Sequence, residues 1–504
     1  MDTTARPDKG PVPSRTRRLV ILAICSMSLL IVGLDSTIVN VALPAIHRSF
    51  HASLSGLQWT IDAYTLVLAS LLMLSGSTGD RIGRKRIFQI GLTLFSLGSL
   101  LCALAPTLGL LIAARVVQAI GGSMLNPVAM SIIRNVFEDP RERAQAIGVW
   151  GGVVGISMAL GPVLGGTLVD SVGWRWVFLV NLPVGIAAFL LTAIYVPESR
   201  AAQARRVDPV GQVLVILALA TLTYAIIEGP SNGWLSAQTL GLFAVSMAAF
   251  ASLVQYELRR GQPLIEVRFF RSVPFSGASA IAVCGFAALG GFLFLNTLYL
   301  QGVRGLSPLD AGLYTLPMAV MVLILAPLSG RLVGNRGTRL PLVIGSLGVI
   351  ASAALLTQLT AHTPFGLLIV AYLLFGIGFG FINPPITNTA VSGMPPSQAG
   401  VAAAVASTSR QVGATLGVAV LGALAGGGAV GAIGPGFSAA THTSWWIVFG
   451  LGVIVLAMAL LTTTRWALRT AGETAERFRE DPPAGHRLQA PDLDLDEPAE
   501  VATG

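Results

Sequence analysis

LLIVGLDSTIVNVALPAI, residues 29–46, is an apolar run interrupted by one aspartate, Asp35, with Asn40 farther along and Pro44 near its end. Its length decides how it is read. Counted from Leu19, the run extends for about 25 residues, and about 20 suffice to cross roughly 30 Å of hydrocarbon. Arg15, Arg17 and Arg18 precede it, as basic residues precede a secretory signal. A signal would have a shorter apolar region and a small-residue cleavage site, so the run reads as a retained first membrane span.

Similar runs recur as far as Trp466. The 504 residues are 53% hydrophobic and only 11% charged, with a mean hydropathy of +0.74. A soluble chain of this length would need a larger charged surface. Reading between charged or Pro/Gly-rich breaks predicts fourteen spans, near 19–43, 57–78, 87–105, 107–133, 144–168, 175–196, 209–228, 237–256, 274–300, 311–331, 341–361, 365–388, 398–424 and 444–466. The fold class is therefore an all-α polytopic membrane protein. Cys25, Cys102 and Cys284 fall on different spans and read as buried small hydrophobes, not as a disulfide or metal framework.

The formal net charge of +8 raises the question of nucleic acid. An even span count puts both termini on one side. If that side is the cytoplasm, 27 of the 32 Lys and Arg residues face inward, and the outward loops hold only Arg48, Arg175 and Arg304. This is the positive-inside asymmetry. The basicity is topological, and it predicts a cytoplasmic-membrane protein with both termini cytoplasmic and no nucleic-acid partner. Residues 1–18 and 469–504 are polar, and PDLDLDEPAE at 491–500 is too poor in apolar residues to fold alone. Both are expected to be disordered tails.

GSTGDRIGRK at 76–85 follows the second span and GRLVGNRGTR at 330–339 follows the tenth. Both carry Gly at their first and eighth positions and end in a base. The echo predicts a duplicated six-helix unit, a construction familiar in transporters. The expected organisation is a first bundle over 19–197, two inserted spans with linkers over 198–272, and a second bundle over 273–468.

Only four charges lie clearly within spans: Asp35, Asp62, Arg115 and Arg410. Each would be costly against lipid and should face protein or a water-lined interior. Asp35 is nine residues before Pro44 on an outward-running span, and Arg115 nine residues after Pro106 on an inward-running one. Both therefore lie about 13 Å below the outer boundary and can meet if the helices are neighbours. Such a pair reads either as a structural salt bridge or as a proton site. Burial disfavours a charged carboxylate and a nearby guanidinium favours it, so a motion that changes their separation changes proton affinity. Gln118, one turn after Arg115, is a polar neighbour on the same face. Asp62 with Trp59 and Tyr64 could attract a lipophilic cation, although the two aromatics read equally as interface anchors. Asn126, Asn296, Asn383, Arg410 and Gln411 are further candidates for a polar cavity.

The glycine strings suggest moving parts. Gly76 and Gly83 permit a tight turn between spans 2 and 3, and Asp80 can cap a helix or take an arginine. No GK[ST] string occurs, so there is no recognisable ATP site on the chain. In the fifth span, GVWGGVVGISMALGPVLGG at 148–166 would let helices approach and slide, with Pro162 removing a hydrogen bond beside Gly161. Packing alone would also explain it.

In order along the chain, these strings resemble the signatures of the major facilitator superfamily, and within it the fourteen-helix drug:proton antiporter group. GSTGDRIGRK resembles the loop 2–3 signature, RVVQAIGGS at 115–123 that of helix 4, with Ala119 where Gly is usual, and LGPVLGG at 160–166 the antiporter string of helix 5, with Ser157 at a position commonly Gly. LDSTIVNVALP, WRWVFLVNLP and SRQVGATLG resemble subgroup patterns. The resemblance covers residues 15–468. It implies two six-helix bundles flanking a cavity open alternately to each side, and a non-enzymatic, cofactor-free exporter of lipophilic, often cationic compounds with protons as the coupling ion. It further implies that Asp35 and Arg115 belong to the coupling machinery, and Asp80, Arg81 and Arg84 to a cytoplasmic latch. A proton-coupled importer and a non-transporting sensor are the alternatives; costly intramembrane charges argue against the sensor.

Overall fold

The computed structural model describes residues 14–201, 207–261, 263–392, 394, 398–428 and 436–480. They form helices, with no strand among them. Thirteen helical segments are long and apolar enough to span a membrane, and the 30-residue helix Ala399–Gly428 accompanies them. In chain order these are α1 (Arg15–Phe50), α2 (Leu54–Ile82), α3 (Arg84–Leu104), α4 (Leu108–Val136), α5 (Pro140–Ser171), α6 (Trp176–Tyr195), α7 (Pro209–Asn232), α8 (Ala237–Leu258), α9 (Val273–Leu298), α10 (Pro308–Arg336), α11 (Arg339–Leu356), α12 (Phe365–Val391), α13 (Ala399–Gly428) and α14 (His442–Thr462).

Local chemistry sets the helix starts. Ser53, Thr107 and Ser236 accept from backbone N–H groups in the first turns of α2, α4 and α8. Asp139–Pro140, Asp208–Pro209 and Ser307–Pro308 pair a capping side chain with a proline whose missing N–H loses nothing there. Pro44 does not end α1 as the sequence suggested. The helix continues through it to Phe50 and stops at His51, a left-handed residue with φ 50°. Packing against α5 and α6 holds α1 helical across the proline.

The expected tails are shorter where they can be described. Arg15–Arg18 already belong to α1, and residues 465–480 form a further helix, α15 (Arg465–Glu480). Its apolar side explains it: Phe478 packs on Phe269, and Thr470 accepts from the Val273 N–H. The rest of both expected tails, residues 1–13 and 481–504, lies outside the described residues.

Helix pairings repeat along the chain. α1 packs on α5, α2 on α4, α3 on α4 and α3 on α6; shifted by eight, α9 packs on α13, α10 on α12, α11 on α12 and α11 on α14. The halves meet through α2 against α13 and α5 against α10, which the same shift interchanges. Gly83 and Gly337, the eighth positions of the two echoed strings, end α2 and α10 with φ of 134° and 77° and donate back to Gly79 and Val333. Equivalent glycines thus turn equivalent corners. α7 and α8 lie outside this pattern, with α7 packed on α2 and α13.

Candidate functional site

α1, α2, α3, α4 and α6 bring a polar cluster together inside the first half. Arg115 Nη1 lies 2.5 Å from Asp35 Oδ2, and Gln118 Nε2 and Asn181 Nδ2 donate to Asp35 Oδ1 at 2.8 and 3.2 Å. Arg115 also donates to Gln118 Oε1 at 2.7 Å and, through Nε, to the Thr60 carbonyl at 3.1 Å. Ser99 accepts from Gln118 and Asn181 at 2.8 and 3.1 Å. The Tyr64 ring covers the guanidinium at 4.1 Å.

This cluster is closed to solvent, with Asp35, Gln118, Ser99 and Asn181 all 0% exposed. Close helix approach makes it possible. A Cβ on Gly98 would sit 2.4 Å from the Gln118 backbone nitrogen, and one on Gly121 would sit 2.3 Å from that of Phe95. α3 and α4 can meet so closely only through glycine. The depth count from Pro44 and Pro106 therefore paired the right two charges. Gln118 belongs to this sealed cluster and not to a substrate cavity. Ser99, Asn181 and Thr60 were not singled out from the sequence; the only hint of Asn181 is its place in WRWVFLVNLP.

Asp62 is equally buried, and among the described residues no cation pairs with it. Thr65 Oγ1 donates to its Oδ1 at 3.3 Å, and its Oδ2 has no hydrogen-bond partner. Thr415 of α13 donates to Thr65 at 2.9 Å, so a hydroxyl chain links Asp62 to the other half. Gln58 adds bonds to the Val418 and Ala419 carbonyls at 2.9 and 2.8 Å. The aromatic site expected around Asp62 does not form. Tyr64, two positions from Asp62, turns to the opposite side of the helix and covers Arg115, and Trp59, on a face adjoining that of Asp62, donates to Glu228 of α7 at 2.9 Å.

The remaining candidates divide between core and cleft. Asn296 is buried in the second half, accepting from the Tyr372 hydroxyl, and is not a cavity group. Asn126, Asn383, Arg410 and Gln411 are half-buried, and Asn126 Oδ1 has no partner. Arg410 donates to Thr387 Oγ1 at 2.6 Å and reaches Ser407 Oγ at 3.5 Å, while its Nε has no partner.

Along α5 and α10 the two halves are closed at one end and parted at the other, although at the parted end a Cβ on Gly400 of α13 would lie 3.6 Å from Arg134 Nη1 of α4. On the face of α5 that meets α10, Cβ atoms on Gly155 and Gly166 would lie 2.9 Å from Leu323 Cδ1 and 2.6 Å from Leu309 Cα, and one on Gly312 would lie 2.3 Å from the Pro162 carbonyl. Along the same faces toward the arginine-rich end, Gly148, Gly151 and Gly152 of α5 and Gly330 and Gly334 of α10 would meet nothing within 4 Å. The helices diverge past Gly155 and Leu323, which opens the cleft at the arginine-rich end. Gly161 instead packs on α1, where a Cβ would lie on the Thr37 hydroxyl. At the open end Asp80 pairs with Arg84 at 2.8 Å, Arg81 is exposed, and the Asp80 carbonyl accepts from Ala201. Gly76 packs near Pro127, and Gly83 sits against Glu198, so these loop contacts stay within the first half.

The profile described as "Major Facilitator Superfamily" matches residues 25–418. "Multidrug resistance protein Stp" of Mycobacterium tuberculosis is 39% identical over 82% of this chain and 76% of its own length. "Tetracenomycin C resistance and export protein" of Streptomyces glaucescens is 38% identical over 79% and 74%, and "Multidrug efflux pump LfrA" of Mycolicibacterium smegmatis 35% over 84% of each. Among solved structures, an inward-facing, unoccupied bacterial homologue of the human lysosomal transporter Spinster aligns with a TM-score of 0.62 at 19% identity, covering 92% of this chain and 99% of that one. The partially occluded, inward-open xylose transporter XylE aligns at 0.61 and 16% identity, covering 89% and 97%. At these identities the two structures speak for the fold alone.

Proposed function

The chain belongs to the major facilitator superfamily, a family of multi-pass membrane transporters and not of enzymes, and on that premise we propose that it exports lipophilic drugs or a related metabolite across the cytoplasmic membrane, driven by protons. The relatives named for efflux, resistance and export support that direction over import. The 27 inward-assigned bases support cytoplasmic termini, and on that orientation the cleft opens to the cytoplasm.

One observation carries the coupling. Asp35 is held by Arg115, Gln118 and Asn181 in a site without solvent, and those partners belong to helices that build the first half. Adding a proton to Asp35 would weaken its bond to Arg115 and oblige the surrounding donors and acceptors to repack. Helix positions and proton occupancy would then change together. Asp62 is a second carboxyl on this route, since its Thr65–Thr415 chain crosses α2 to α13 and would break when those helices part. Thus opening of the closed end is tied to the surroundings of a carboxyl group.

The cycle runs between the cleft seen here and its opposite. Cargo would enter from the cytoplasmic side, the Asp80–Arg84 loop would meet the second half as that side closes, and the Gly166–Leu309 and Gly312–Pro162 contacts would separate. The test is pH-gradient-driven efflux in everted vesicles. Compared per molecule of inserted protein, Asp35→Asn should lose gradient-driven transport; coupled transport at the parent rate would remove Asp35 from the mechanism.

A further inference from the structure

Of the four intramembrane charges, Asp35 and Arg115 neutralise each other, and Asp62 is sealed at 0% exposure. Arg410 is different. Among the described residues no carboxylate pairs with it, its hydrogen bonds go to two neutral hydroxyls, and its Nε has no partner. The residue as a whole is half-buried, while Nε itself is sealed. It lies eleven residues into α13, about 16 Å from the open end of that helix. α13 is flanked by α9, α12, α2 and the inserted α7.

Neighbouring residues fix the direction of the charge. On α13, Thr415 and Gly422 face α2, whereas Gly413 and Gly417 press on Val283 and Ala287 of α9. Arg410 precedes Gly413 by three positions and Gly417 by seven, which puts it on the side of α13 that turns toward α9, nearer the open end than the tight Gly413–Val283 contact. There its guanidinium lies 5.9 Å from the Phe286 ring centroid and bonds Thr387 of α12. The result is a planar cation with donor capacity to spare, beside an aromatic face. Each Nη makes one bond, to Ser407 or Thr387, and so keeps a second N–H for a carboxylate or phenolate, whose attached apolar body would suit the aromatic wall.

We propose that Arg410 anchors an anionic group on the cargo, so that the substrates of this protein include lipophilic organic anions. The proposal deepens the export reading and rests on it for the identity of the cleft as substrate path. Among the described residues the partly exposed intramembrane charge without an ionic partner is positive, and of the residues expected to gather a cation, Trp59 is bonded to Glu228 of α7, Asp62 is sealed and Tyr64 covers Arg115. A purely structural Arg410, holding α12 to α13 through Thr387, would act on all cargo alike.

Purified full-length protein is tested first for binding, with 8-anilinonaphthalene-1-sulfonate as lipophilic anion and rhodamine 6G as lipophilic cation, and then in proteoliposomes for pH-gradient-driven transport of both. Arg410→Gln should weaken anion binding about tenfold or more, the loss expected for a charge-assisted hydrogen bond, and change cation binding less than twofold. Arg410→Lys, which keeps the charge, should retain most of the anion affinity and serves if the Gln variant fails to fold. Equal loss of both ligands, unchanged anion affinity in Arg410→Gln, or a lysine variant as weak as the glutamine variant overturns the proposal. Absence of gradient-driven transport of either probe overturns the export reading, while the binding comparison still decides the role of Arg410.

Discussion

Removing either member of the Asp35–Arg115 pair should destabilise the first half far more than removing both. In Asp35→Asn, Arg115 keeps the Thr60 carbonyl, Gln118 Oε1 and the Tyr64 face, all neutral, at 1% exposure. In Arg115→Gln, Asp35 keeps two amide donors on Oδ1, but Oδ2 loses its guanidinium partner. An uncompensated buried charge costs about 3–5 kcal/mol, and the surviving neutral partners place each variant near the lower end. By the scaling for domains of comparable size this is a fall of roughly 6–20 °C in unfolding midpoint. The double variant leaves two amides that can bond each other and should recover more than half of the summed loss. Thermal unfolding of the detergent-solubilised protein, followed by size-exclusion chromatography, measures all four corners of the cycle. Strictly additive losses would refute the argument that the two charges stabilise one another. A stable double variant that still drives efflux from a pH gradient would refute their role in coupling.

Other substitutions probe the contacts between helices. Gly312→Val should lower efflux at least tenfold, because its Cβ would lie 2.3 Å from the Pro162 carbonyl and hold the closed end apart; cysteine accessibility at Leu309, measured with a membrane-impermeant thiol reagent, should rise. Gly98→Ala should cost about 1–3 kcal/mol through overpacking of α3 on α4, seen as a lowered unfolding midpoint. Thr415→Val removes the hydroxyl that joins α13 to Thr65 and should alter the pH dependence of efflux; an unchanged pH profile would count against the chain to Asp62.

The sequence made the span count and the central ion pair readable because both follow from length and spacing along single helices. Nine residues from a proline on each of two antiparallel spans is a statement about depth, and depth survives even though Pro44 lies inside its helix instead of ending it. Facing direction was harder. Tyr64 is turned away from Asp62 onto Arg115, and Trp59, on a face adjoining that of Asp62, is taken by Glu228 of α7, a partner distant in sequence. Ser99 and Asn181 escaped because neutral polar residues are common in spans, and nothing nearby in sequence shows that two helices deliver them to one carboxylate. The echo between 76–85 and 330–339 had more meaning than its composition suggested, since both eighth-position glycines adopt positive φ at matching helix ends.

The inserted pair gives the molecule a front and a back within the plane of the bilayer. α7 is fastened to α2 at two depths, by Gln212 to the Ser70 carbonyl at 2.6 Å and by Glu228 to Trp59, while it also lies along α13. It therefore behaves as a spine over one of the two lines where the halves meet. In the proposed cycle the other line, α5 against α10, which carries no such cover among the described residues, would be the freer of the two to part at either end.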